Sequence, residues 1–148
     1  MIKFVAASII TVALFSMFVQ TAVAETALSG NEITQLIEGN TAVGGRQKKQ
    51  TQEFLTKYIG IQTYYGANKQ FVEKGIDTGK GSPVPAHGSW RVKKDKLCFT
   101  YSDSLRNAGK EMCRKVIRKD NGTYELIKKG KVDRMWREVL SGNPYNLE

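Results

Sequence analysis

His87 is the one imidazole among the 148 residues, so general acid or base work would fall to it first. It stands near Pro83, Pro85 and Gly88, a setting that predicts a loop residue, and no Ser or Cys sits in a recognisable nucleophile motif. Paired carboxylates are the next candidates. Glu53, Glu73, Asp77, Asp95, Asp103 and Glu111 are present, but glycoside hydrolysis needs two acids about 5 to 10 Å apart in a cleft, and nothing in their spacing selects a pair. Cys98 and Cys113 are 15 positions apart, which excludes C-x-x-C redox chemistry and, with a single distant His, a zinc site. No glycine-rich phosphate loop is present. The residue types therefore predict no catalytic group, no metal and no cofactor.

Charge is the more informative property. The chain carries 23 Lys plus Arg against 14 Asp plus Glu, a formal net charge of +9. Residues 90–137 hold 15 basic and six acidic residues, whereas 25–89 hold seven and six. Within the basic half, Asn121-Gly122 between two apolar runs predicts a two-residue type I′ hairpin, since both central residues must take positive φ. That register sets Arg118 opposite Glu125, Ile117 opposite Leu126 and Val116 opposite Ile127. It also sets Lys115 opposite Lys128 and Arg114 opposite Lys129. Like charges directly opposed on a ladder are unfavourable unless something negative lies over them, so Arg114, Lys115, Lys128 and Lys129 are the candidate polyanion-binding residues. The hairpin also explains Asn121-Gly122-Thr123, which matches a glycosylation pattern.

Compartment follows from the first 24 residues. Lys3 precedes an apolar run from Phe4 to Val19, and Ala22-Val23-Ala24 is a small-residue cleavage site, so 1–24 reads as a secretory signal peptide. The mature chain is then 25–148, enough for a single small domain with one core. No later segment is apolar enough to span a membrane, so no transmembrane anchor is expected after processing. A periplasmic or secreted destination is oxidising, and Cys98 and Cys113 are expected to form one disulfide. A loop of that length is worth about 3 kcal/mol in the chain-entropy model.

The elements that must position these residues are mostly strands. Leu28-Ser29-Gly30-Asn31-Glu32-Ile33 predicts a helix start, with Ser29 as N-cap, Glu32 closing a capping box and Leu28 with Ile33 as the apolar staple. Leu36 and Ile37 complete one apolar face, and Gly39 ends the helix after about two turns. Beyond Gly44-Gly45, short runs rich in Tyr, Phe, Val and Ile predict strands at 54–59, 62–65, 70–74, 89–93, 97–102, 111–119, 123–128 and near 134–140. Residues 77–87 form the longest predicted loop. If Cys98 faces Cys113, then Leu97, Phe99, Tyr101, Met112, Val116 and Ile127 share one face, and the disulfide, Ile117, Leu126 and Tyr124 the other. Both faces are partly apolar and neither can be left wet. The expected fold is therefore mainly β: a small antiparallel barrel or strongly twisted sheet, with the short N-terminal helix covering its outside or plugging one end. An open α+β sheet is the rival.

Several short motifs together resemble one family: Leu28-Ser29-Gly30, Glu32-Ile33, Gly39-Asn40-Thr41, Tyr64-Tyr65-Gly66, Gly88-Ser89-Trp90-Arg91-Val92, Leu97-Cys98, Cys113-Arg114 and Ser141-Gly142-Asn143. They look like the short exported alphaproteobacterial proteins grouped as domain of unknown function nine-nine-five, over nearly all of the mature chain. The resemblance implies an exported bacterial domain with a G-x-W strand and a paired cysteine hairpin, and it brings no activity or cofactor. Trp90 reads as a core anchor with a close backbone approach at Gly88. The echo of Gly39-Asn40 in Gly142-Asn143 reads as two element ends. The functional expectation is a non-enzymatic envelope protein whose basic face meets an anionic lipid or polysaccharide. The alternative is an accessory or inhibitor protein docking on another exported protein. Nucleic acid ranks last because its recognition motifs are absent.

Overall fold

A computed structural model describes residues 25–46, 60–75, 85–103 and 108–148. In chain order the elements are β1 (Thr26–Ala27), α1 (Gly30–Ile37), β2 (Asn40–Arg46), β3 (Ile61–Tyr65), β4 (Gln70–Gly75), β5 (Ala86–Val92), β6 (Leu97–Tyr101), β7 (Met112–Arg118), β8 (Tyr124–Lys128) and β9 (Lys131–Ser141). Strands β2 to β9 each pair antiparallel with the next, and β9 returns to pair with β2. The result is a closed eight-stranded barrel, and closure leaves no edge between first and last strands. This decides against the open sheet. The short β1 joins β7 at Ile117 and Arg118, beyond the stretch of β7 that pairs with β6.

Closure depends on β2, a strand that the glycines of Asn40–Arg46 hide from a reading of apolar alternation. Gly44 stands where β2 crosses β9 at a bulge: Val43 pairs with Glu138, and Gly44 with Trp136. A Cβ at Gly44 would lie 1.9 Å from the Met135 carbonyl oxygen, so only glycine lets the two backbones meet. Across the same seam the two Gly-Asn pairs come together. Gly39 and Gly142 both take positive φ and end α1 and β9, and Asn40 Oδ1 accepts from Gly142 N at 3.2 Å.

The helix plugs one end. Ser29 caps it and Glu32 completes the capping box as expected, a contribution of about 1 kcal/mol. Asp95, in the β5–β6 turn, accepts from Gly30 N at 2.6 Å and fixes the helix start to the barrel. Leu28, Ile33 and Ile37 are fully buried in one cluster with Tyr65, Phe71, Trp90, Phe99 and Trp136. The aromatic rings meet at edges and tilts, with centroids such as Phe71–Tyr101 at 5.2 Å and Tyr65–Trp90 at 6.0 Å. Gly88 passes Thr100 and Phe71 where no Cβ would fit, and the Trp90 indole donates to the Gly66 carbonyl at 3.1 Å.

Cys98 and Cys113 are a directly opposed pair on β6 and β7, joined as a disulfide with Cα atoms 4.0 Å apart. The inward face holds Leu97, Phe99, Tyr101, Met112 and Val116, and Leu126 replaces the expected Ile127. The cause is the loop at Asn121-Gly122. Lys119 N donates to Thr123 O and Gly122 N to Lys119 O, so the loop is Asp120-Asn121-Gly122, with positive φ at Gly122 only. Asn121 Oδ1 accepts from Thr123 N at 3.0 Å and Thr123 Oγ1 at 2.7 Å, which holds this three-residue form. The ladder therefore slips by one: Val116 faces Leu126, Ile117 faces Glu125 and Arg118 faces Tyr124. Every side chain of β8 changes its neighbour with that slip. One other correction follows, and one expectation is left untested. Ala86 and His87 belong to β5 rather than to the preceding loop, and the expected strand at 54–59 lies outside the described residues.

Candidate functional site

The helix sits at the end of the barrel where β3 leads into β4 and β5 into β6. At the far end lie the last residues of β6 and β8 and the first of β7 and β9. Eight strands enclose an interior just wide enough for side chains to fill, and in this barrel the filling turns polar toward the far end. Glu73, from β4, is reached by Arg134 Nη1 at 2.5 Å and by the Tyr101 hydroxyl at 2.9 Å, and Thr63 Oγ1 donates to it at 3.3 Å. Arg134 Nη2 also donates to the Tyr101 oxygen at 2.6 Å. Glu73 and Arg134 are both almost fully buried. Burial opposes the Arg134 charge, but the adjacent Glu73 carboxylate outweighs it and holds the guanidinium charged. Burial also pushes the Tyr101 hydroxyl up, so it stays neutral and donates.

Arg114 is the second interior cation. Adjacent residues of a strand face opposite ways, and Arg114 points inward with Met112 and Val116 while Lys115 points to solvent. Its guanidinium lies 4.2 Å from the Phe99 ring centroid, and Arg134 lies 5.0 Å from the same ring. Arg114 pairs with Asp133, which sits in a β9 bulge where Leu126 pairs with Arg134 and Ile127 with Val132. Burial and the nearby Arg134 charge push the Arg114 pKa down, and Asp133 offsets this only in part. Beside Arg134 is a shallow surface depression lined by Gly44, Gly45, Ile61, Thr63 and Trp136.

The structure thus separates the four residues expected to form one cationic cluster. Arg114 is inside the barrel, and Lys115 is outside opposite Ile127. Lys128 faces Lys131, and Lys129 sits in the turn between them. That turn, Lys129-Gly130, has positive φ at both residues and is the two-residue I′ type that the sequence reading assigned to Asn121-Gly122. Like charges are still opposed across a ladder, but they are Lys128 and Lys131. Among the described residues none of Lys115, Lys128, Lys129 and Lys131 has a carboxylate within ion-pair distance, whereas Lys119 pairs with Glu25 and Glu125. The expected Arg118–Glu125 pair is replaced by Arg118 over the Tyr124 ring.

The other candidates have local roles. His87 Nδ1 is 2.7 Å from Asp103, and Nε2 is 3.2 Å from the Glu148 carbonyl oxygen, so both ring nitrogens are engaged. The hydrogen bond to Asp103 raises the His87 pKa above its ordinary value. Ser102, next to this pair, donates its hydroxyl to the His87 carbonyl oxygen. Glu111 pairs with Arg91 at 2.6 Å, and Asp95 caps the helix. Glu53 and Asp77 lie outside the described residues. Cys98, Cys113 and Glu111 are close enough together for metal ligands, but both sulfurs are committed to the disulfide. Among the described residues no helix is long and apolar enough to cross a membrane.

Glu73, Arg134, Tyr101 and Thr63 escaped sequence reasoning as a group, although the signal was present. Glu73 has the parity of Phe71 and Arg134 that of Trp136, and a charged residue in step with buried aromatics marks an interior polar site. No family model, no curated protein and no solved structure matches the chain.

Proposed function

We propose that the protein is an exported, non-enzymatic binding barrel that holds an anionic lipid or polysaccharide of the envelope at the end away from its helix. The observation that carries this reading is the β8–β9 tip, where Lys128 and Lys131 oppose each other around Lys129 without an acidic partner among the described residues. Such an arrangement costs stability unless an anion lies over it. Supporting it are the basic balance of 90–137, the disulfide, and the expected signal peptide at 1–24. The resemblance to the exported alphaproteobacterial family belongs to the same proposal. Retention on immobilised heparin tests the reading. Lys128→Glu/Lys129→Glu should elute at much lower salt than the parent, while Lys93→Glu/Lys96→Glu, the same charge change in the exposed β5–β6 turn at the helix end, should lose little. Equal losses would reduce the tip to a part of a diffuse charge and overturn the assignment.

A further inference from the structure

The two interior arginines differ in the number of oxygens each is given, although each leaves one nitrogen, Arg114 Nη1 and Arg134 Nε, buried without a hydrogen-bond partner among the described residues. Arg134 is matched inside the barrel by both oxygens of Glu73, at 2.5 and 3.4 Å, and by the Tyr101 hydroxyl. Arg114, with a side chain only 4% exposed, has one acidic partner among the described residues. Its Nε and Nη2 both converge on a single oxygen, Oδ2 of Asp133. Arg114 Nη1 is buried with no hydrogen-bond partner among the described residues. A guanidinium fork fits two oxygens side by side, and here it is given one. Asp133 is meanwhile the least committed acid near the barrel interior: its side chain is 34% exposed, and it is the extra residue of a bulge rather than a ladder member. Bulges re-aim side chains at sites of function. Arg134 already has the Glu73 carboxylate inside the barrel, whereas Arg114 rests on the Phe99 ring and is held by one oxygen of a solvent-reaching carboxylate.

We propose that Arg114 is the anchor for one carboxylate or phosphate head group entering beside Lys128 and Lys131, and that Asp133 is a resident stand-in which the ligand displaces. This rests on the reading of the far end as the anion-binding end and adds its point of recognition. An incoming head group supplies two oxygens, one of them for Arg114 Nη1, and Asp133 swings to solvent. Lys131, two residues from Asp133, and Lys128 opposite it hold the rest of the ligand's charge. Phe99, under the Arg114 guanidinium, fixes the plane of the fork.

The test is calorimetric titration of the processed protein with octanoate and with octyl phosphate, using octyl glucoside as the neutral control. The stronger of the first two identifies carboxylate or phosphate as the preferred head group. Asp133→Asn removes the competing negative charge and leaves only a neutral amide acceptor, so it should bind that probe about tenfold tighter or more, the scale of one charge-assisted hydrogen bond. Arg114→Gln should lose the binding. In the unmodified protein a saturating probe should also shift the Asp133 carboxyl ¹³C resonance toward that of a solvated aspartate, a readout that does not depend on either variant folding. An unmoved Asp133 resonance, equal affinity in Asp133→Asn and the parent, or equal binding of octyl glucoside would each overturn the proposal. Failure of the lysine-tip reading shows separately, as equal heparin losses from the two lysine pairs, and leaves the Asp133 resonance to report on Arg114 alone.

Discussion

Lys129 occupies a position that favours Asn, Asp or Gly. Its φ is 50°, and with Gly130 at 76° it forms a type I′ turn. An L residue with an ordinary side chain pays about 1–2 kcal/mol for the left-handed conformation, and Asn avoids much of that because its short amide bonds locally. Lys129→Asn should therefore stabilise the fold by about 1 kcal/mol, a rise in Tm of about 3–5 °C for a chain of this size. No ion pair to Lys129 is lost, since none exists among the described residues. The same change removes one of three lysines at the tip and should lower the salt at which the protein leaves heparin. Opposite signs in the two assays are what strain retained for binding requires. Differential scanning calorimetry and a salt gradient on the same preparation decide it. A lower or unchanged Tm would refute the turn assignment, and a higher Tm with unchanged retention would refute the claim that Lys129 is kept for an anion.

Three further outcomes follow from the geometry. Glu73→Ala leaves Arg134 buried without its carboxylate and should cost about 3–5 kcal/mol by chemical denaturation, whereas Glu73→Leu/Arg134→Met should recover most of it. Gly44→Ala forces a Cβ against the Met135 carbonyl and should cost about 3 kcal/mol or more at the barrel seam, whereas Gly39→Ala, with open space around it, should cost only the about 1 kcal/mol of its positive φ. NMR titration should place the His87 pKa above its ordinary value of 6.5, and Asp103→Asn should bring it back down. Because the folded pKa is raised, the stabilisation from this exposed pair is complete below the unfolded pKa and disappears as pH rises through the folded one.

The barrel and its plug were legible where local chemistry is self-contained. Ser29 and Glu32 satisfy each other within four residues, and the alternation of Leu97, Phe99 and Tyr101 marks an inward face without help from distant strands. What failed was judged by residue identity instead of by parity. Arg114 and Lys115 cannot share a face on one strand; parity puts Arg114 with Met112 and Val116, and only closure of the barrel makes that face the inner one. Asn121-Gly122 carries the stronger I′ signal in sequence, but the Asn121 side chain bonds to Thr123 and selects a three-residue loop, while Lys129-Gly130 takes the I′ turn against its own preference. Gly44 and Gly45 carry no strand signal of their own because their purpose, the approach of β9, lies about ninety residues away in the chain.

The central claim, that the far end holds an anion through its tip lysines, is tested most directly by binding of the processed protein to phosphatidylglycerol vesicles across a salt series, with phosphatidylcholine vesicles as reference. The screening length falls from about 10 Å at 0.1 M to about 3 Å at 1 M. The account predicts binding to the anionic vesicles alone, falling steeply with salt, and much weakened in Lys128→Glu/Lys129→Glu but not in Lys93→Glu/Lys96→Glu. Salt-tolerant binding, equal binding to both vesicle types, or equal losses in the two variants would contradict it.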